Sequence, residues 1–255
     1  MKKNLLSIFL LGSFATASAS HFQGGELTCD YNGSNYTVKL AMYKTCAPSS
    51  AYLPASNVIN FQSASLGLTF SRTVNHAYDD TTSLSCPPNL SVCASPTSSD
   101  PGYITGYYKD TVSLPSAPDW VISTSVSART LSNNIQNSTS TTYYTEVKLN
   151  NLAGTNVNAY IPNTPVYFLA VNNTETIPLQ TIDADGDSVA YEFVTPMTSA
   201  VSTISYAFGY SLASPFGSGS SCTLNAASQT LAINATATGN YTIAFKVKEY
   251  RSGNL

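Results

Sequence analysis

Hydrophobic and polar residues alternate along much of this chain. In residues 36–42, Tyr36, Val38, Leu40 and Met42 share one side of an extended backbone, and Thr37, Lys39 and Ala41 the other. That period of two is the mark of a strand with one face buried. Asn32-Gly33-Ser34-Asn35 precedes it as a turn sequence, and with the run before it predicts a hairpin. Short strand-like runs follow at 57–61, 66–74, 103–114, 141–149 and 158–161, separated by Ser, Pro, Asn and Asp clusters. Pro162-Asn163-Thr164-Pro165 stiffens the chain and interrupts pairing, so it marks a boundary. Beyond it come an apolar run at 166–171, a run at 175–181, a strand with Val189, Tyr191 and Phe193 on one face, and strands at 230–233 and 241–247. No window keeps a helical period beyond a turn or two.

This spacing predicts an all-β fold of two tandem Ig-like or cadherin-like antiparallel β-sandwiches, residues 21–162 and 163–255. The last strong strand runs into Arg251-Ser252-Gly253-Asn254, a turn with no returning strand before Leu255. The second sandwich is therefore expected to be incomplete at its C-terminal strand, as a fragment or as a unit that a neighbour completes by strand exchange.

Composition narrows the setting. Of 255 residues 43% are hydrophobic and only 10% charged, enough apolar material for a core. Seventeen Tyr favour strands. A net charge of −3 with no basic stripe argues against nucleic acid as a partner. Residues 1–20 have the build of a cleaved signal peptide: Lys2 and Lys3, an apolar run from Leu5 to Phe14, then Ala17-Ser18-Ala19. No other run reaches transmembrane length, so the mature chain is expected to be secreted.

The most concentrated chemistry lies in residues 181–194, T-I-D-A-D-G-D-S-V-A-Y-E-F-V. Asp183, Asp185 and Asp187 alternate with small residues, so an extended or gently turning backbone aims all three at one spot. Such a group repels itself unless a cation joins it, and hard oxygen donors in a turn suit Ca²⁺. Gly186 supplies the positive φ such a turn uses. Gly in the fourth position and Val194 in the twelfth rule out an EF-hand loop.

Five cysteines follow the leader, and an oxidising compartment makes disulfides the expectation. Cys29, Cys46, Cys86 and Cys93 allow three connectivities that sequence does not rank, leaving Cys222 as the odd one. Cys86 with Cys93 closes a short loop; Cys46 with Cys86 and Cys29 with Cys93 serves equally well. A catalytic role finds little support. No G-x-S-x-G elbow accompanies His21 or His76, and Glu175 with Asp183 or Asp185 as a glycosidase pair suits metal or surface duty better. Trp120, Tyr107 and Tyr108 are candidates for stacking on sugar rings, against the simpler reading that Trp120 plugs a core and Tyr fills sheet positions.

Several segments, in order, resemble a family of secreted Bacteroidetes surface proteins linked to gliding motility and type IX secretion. They are His21, Gly24-Gly25-Glu26-Leu27-Thr28, Tyr43-Lys44-Thr45-Cys46, Gly106 through Pro115, Asn163 to Tyr167, Asp183 to Tyr191, and Lys248 to Gly253. The family's tandem Cys pair has no counterpart near residues 123–134. The resemblance implies a bacterial cell-surface location more than an activity. Residues 163–185 are also similar to cadherin-type repeats, which bind Ca²⁺ between domains through a linker Asn and an Asp-x-Asp turn. That likeness implies Asn163 as a further ligand, with Glu26, Glu175 or Glu249 completing the shell. The expected function is a non-enzymatic exported module for adhesion or spacing, stiffened by interdomain calcium. Its partner would be an extracellular surface, a glycan or a neighbouring surface protein. The alternatives are a carbohydrate-binding module of a larger secreted protein and a pilus or filament subunit that homo-polymerises.

Overall fold

The predicted hairpin forms. β1 (Gly24–Tyr31) and β2 (Tyr36–Thr45) pair antiparallel from Gly24↔Tyr43 to Tyr31↔Tyr36. Asn32 Oδ1 closes the turn by accepting the Asn35 backbone N–H at 2.9 Å, and Gly33 takes a φ of 95° that a Cβ would disfavour. These strands belong to a computed structural model that describes residues 22–46, 53–83, 90–100, 102–152, 154–162 and 168–251.

Five more strands follow in the first part of the chain. They are β3 (Ser56–Ser63), β4 (Leu68–Ser83), β5 (Gly102–Val112), β6 (Trp120–Val126) and β7 (Tyr143–Leu149). All pair antiparallel in one seven-stranded sheet, in the order β1-β2-β5-β4-β3-β6-β7. Strict alternation of exposed and buried residues along β3 shows the sheet has one inner face. Every strand contributes to a single apolar cluster, among them Cys29, Leu40, Phe61, Val74, Tyr108, Trp120 and Leu149. The first part thus does not divide into two facing sheets, as a sandwich would. One sheet folds over its own inner face. Two features permit the curl: a 16-residue β4 and a bulge between His76 and Tyr78, where local twist increases. The end strands β1 and β7 consequently approach each other, and the Tyr143 hydroxyl donates to Gly25 O at 2.5 Å.

In the second part, β8 (Thr174–Pro178), β12 (Ser221–Asn225) and β13 (Thr230–Asn234) form a three-stranded sheet. β9 (Ser188–Val194) pairs with β14 (Ala244–Tyr250), and β10 (Met197–Ser199) makes a small hairpin with β11 (Ser202–Thr203). Ile177, Leu231 and Ile233 from one sheet and Tyr191, Phe193, Phe245 and Val247 from the other share a second apolar cluster. Leu179 and Leu231 are fully buried, whereas Phe245 and Val247 are only partly covered. Among the described residues there is no α-helix and no helix long and apolar enough to cross a membrane. The run expected at 158–161 makes a single bridge, Tyr160 to Ile182. Residues 168–171 lie outside any strand, while β6, β10, β11 and β12 were not foreseen.

Candidate cation site and the adjoining cleft

The acidic turn is organised around Asp183. Its Oδ1 accepts the backbone N–H groups of Asp185 at 3.0 Å and Asp187 at 2.9 Å, and Gly186 takes a φ of 78° between them. Strand pairing then delivers a fourth carboxylate. The β9–β14 register sets Glu249 opposite Val189, two residues beyond the turn. Carboxylate oxygens of Asp183, Asp187 and Glu249 lie within 4.8 Å of one another. Asp183 Oδ2 is buried and accepts no hydrogen bond. Burial, followed by the Asp183 charge, raises Glu249 above the ordinary carboxylate range, against hydrogen bonds from Asn156 and Ala159.

Arg251 spans the other side of the cluster. Its guanidinium donates to both oxygens of Asp187, at 2.9 and 2.8 Å, and to Asp185 Oδ2 at 3.0 Å. Asp187, whose side chain is 7% exposed, is the first cause of Arg251's raised pKa. The same guanidinium reaches Thr155 O at 2.7 Å and Asn156 Oδ1 at 3.1 Å. Glu249 accepts from Asn156 Nδ2 and from the Ala159 N–H, each at 2.6 Å, and Asp185 accepts the Val157 N–H at 2.8 Å. Segment 155–159 leaves the first part of the chain and is bonded back to β1 through Asn156 O to Tyr31 N and Asn158 Oδ1 to Cys29 N. The acidic turn therefore grips the crossing between the two parts. Four carboxylates face one guanidinium there, and one oxygen is orphaned, a donor set that fits a hard divalent cation.

The expected ligand set is altered in detail. Asp183 and Asp187 converge, but the turn at Gly186 carries Asp185 away to Val157 and Arg251. Glu249 is in the group. Glu175 is not: it accepts from Asn173 Nδ2 at 2.5 Å on β8. Nor is Glu26, which is hydrogen-bonded to Tyr43 in the wall of the cleft and pushed by burial to about pH 7. Asn163 lies outside the described residues.

That cleft has a volume of about 990 Å³ and is lined by Asp187, Glu249 and Arg251 of the cation site and by Arg129. One wall is the incompletely covered core of the second part, with Leu231, Ile233, Phe245 and Val247. Three strand margins border it: residues 23–28 of β1 and its approach, 143–149 of β7, and 244–249 of β14. Consecutive residues line it from each, and consecutive residues belong to opposite faces of a strand. The cleft thus meets the edges of these strands. Each is terminal in its sheet. Arg129, also in the lining and 6% exposed, donates to Thr142 O at 3.2 Å and Met197 O at 2.6 Å and lies 5.2 Å from the Tyr143 ring centroid. No carboxylate among the described residues pairs with it. Gln23 Oε1 is buried in the same wall without a hydrogen-bond partner.

Cys46 and Cys93 form a disulfide, which corrects both named pairings: Cys93 is not bonded to Cys86 or Cys29, and Cys46 is not bonded to Cys86. Cys29 is unpaired and buried, its thiol pushed by burial to about 12, and Cys222 is unpaired with its thiol pushed by burial to about 11, so both stay protonated near neutral pH. Cys86 lies outside the described residues. Burial removes two of the stacking candidates: Trp120 is fully buried with Nε1 donating to Pro115 O, and Tyr108 is buried, whereas Tyr107 is half-buried and stacks on the exposed Tyr78 at 4.7 Å. His76 is bonded to Asp79 at 2.7 Å and packs on Tyr108, with no serine bonded to the imidazole among the described residues. His21 is outside them. Comparison with protein-family models, curated proteins and solved structures finds no match to this chain.

Proposed function

We propose that this chain is an exported, non-enzymatic module of the bacterial cell surface, serving adhesion or acting as an extracellular spacer. Calcium stiffens its central joint. The observation that carries the reading is the cluster of Asp183, Asp187 and Glu249 within 4.8 Å, beside a buried and unbonded Asp183 Oδ2, at the crossing between the two parts. Asp183 and Asp187 hold Ca²⁺ from the turn and Glu249 from β14, while Arg251 and Asp185 tie the turn to segment 155–157. The ion supplies charge neutralisation. Two like charges 4 Å apart cost about 4 kcal/mol at an effective dielectric constant near 20, a penalty that a bound cation removes.

The second part supports the cadherin-like reading of residues 163–255, since two small sheets face each other across one core. The Cys46–Cys93 disulfide fits an oxidising compartment and the leader at residues 1–20. The likeness to gliding-associated surface proteins rests on the motifs. Thermal unfolding in EGTA and in 10 mM Ca²⁺ tests the proposal. A rise in Tm with Ca²⁺ that Mg²⁺ does not reproduce is expected, and identical melting in the two conditions overturns the structural ion.

A further inference from the structure

We propose that the cleft binds a long-chain carboxylic acid, with its carboxylate held by Arg129 and its acyl chain laid against the half-covered apolar core of the second part. The inference depends on Arg129 and the apolar wall and not on the cation site, so either can fail alone. Three observations converge on it. First, Arg129 lines the cleft, is 6% exposed and makes no ion pair with any described residue. Thr142 O and Met197 O accept from its Nε and Nη2, and the Tyr143 ring lies against it, so the charge is solvated but not neutralised. Second, the lining is apolar at Leu231, Ile233, Phe245 and Val247, and the last two are only partly covered. Third, Gln23 Oε1 is buried in the same lining without a hydrogen-bond partner, the mark of a polar site that something else completes. Gln23 follows Phe22, whose backbone bridges to Arg129, so the unmatched guanidinium and the unpartnered amide oxygen stem from adjoining backbone positions.

Charge selects the occupant. A buried cation unmatched by an anion is costly, and a planar guanidinium recognises a carboxylate through paired hydrogen bonds. No acidic side chain of this chain supplies the anion. All 14 Asp and Glu residues lie among the described residues, and none pairs with Arg129. The stretches outside the described residues carry no Asp or Glu, and these include Asn163 to Tyr167, between cleft-lining Ile161 and Leu169. Glu26, in the same lining, is hydrogen-bonded to Tyr43 instead. Burial lowers the proton affinity of Arg129, and no carboxylate raises it again. The other cations of the lining are placed differently. Arg251 is engaged by Asp185 and Asp187, Lys248 by Glu192, and Lys148 and Lys246 are exposed to water. Size then separates a long-chain acid from a small one. About 990 Å³ stands at the top of the roughly 300–1,000 Å³ range of small-molecule sites, and an acyl chain needs only the apolar contact that Leu231, Ile233, Phe245 and Val247 offer.

The test titrates the whole protein with dansyl-labelled undecanoic acid and with its primary amide, at about pH 8, where the carboxyl is ionised. The rise in dansyl fluorescence is expected to show saturable binding, about tenfold tighter for the acid than for the amide. Arg129→Met is expected to abolish that preference. Absence of saturable binding, equal affinity for acid and amide, or a preference that survives Arg129→Met would overturn the inference. If Arg129→Met does not fold, two measurements on the wild-type protein decide. Hexadecanoic acid must displace the dansyl probe where hexadecanol does not, and a diazirine-bearing hexadecanoic acid must attach at residues that line the cleft. Equal displacement by the alcohol, or attachment confined elsewhere, refutes it.

Discussion

Glu26→Gln should stabilise the protein at neutral and alkaline pH and flatten its pH dependence. Glu26 lies in the cleft wall on β1, hydrogen-bonded to Tyr43, and burial raises its carboxyl from 4.5 to about 7. A folded-state value above the unfolded one means the native protein binds the extra proton between those limits. The stabilisation is therefore complete below about pH 4.5 and is lost as pH rises through about 7. The difference corresponds to at most about 3.4 kcal/mol, at 1.36 kcal/mol per pH unit. Since the residue is only half-buried and water reaches the cleft, about 1–2 kcal/mol is the working expectation. Glutamine keeps a hydrogen-bonding group for Tyr43 and removes the titration. Urea unfolding followed by Trp120, the single tryptophan and part of the same core as β1, reads the effect. Comparing wild type with Glu26→Gln at each pH cancels the other carboxylates. The reasoning is refuted if the wild-type stability, relative to the variant, stays level or rises between pH 4.5 and 7.

Replacing both Cys46 and Cys93 by Ser should cost about 4 kcal/mol, from the unfolded-chain entropy of a loop with sequence separation 47, measured as a fall in urea midpoint. Asn134→Ala should destabilise by about 2–3 kcal/mol in the same assay. Asn134 is fully buried, donates to Pro215 O at 3.0 Å and Thr242 O at 2.8 Å, and accepts the Thr242 N–H at 3.0 Å, so its loss strands three backbone groups. Trp120→Ala should cost about 3–5 kcal/mol through the cavity it opens, without changing affinity for any glycan, as a glycan array would record.

Much of the first part was legible because it depends on local rules. The hairpin at 32–35 needs only Asn and Gly in a turn, and β2, β3 and β7 need only alternation. How the strands assemble was not legible. Curling one sheet over itself depends on the length of β4 and on a bulge at His76/Tyr78, where nothing in the pattern of side chains marks an extra residue. The acidic site was half legible. Spacing brought Asp183 and Asp187 together, but Asp185 turns away at Gly186. Glu249 joins only through the long-range pairing of β14 with β9. Arg251 was read as part of a closing turn, and its pairing with Asp185 and Asp187 follows from the β9–β14 pairing that the spacing of residues does not reveal. Arg129 gave no sequence cue, because its burial follows from the docking of β7 and β10 around it.

Calcium titration of the purified chain, followed calorimetrically, tests the central claim most directly. The account predicts one ion per chain with a dissociation constant of about 10⁻⁴–10⁻³ M, in the range of extracellular modules. Binding should be lost in Asp183→Asn and kept in Glu175→Gln, since Glu175 lies outside the group. No saturable heat up to 10 Kd of that range, or binding that survives Asp183→Asn unchanged, would contradict it.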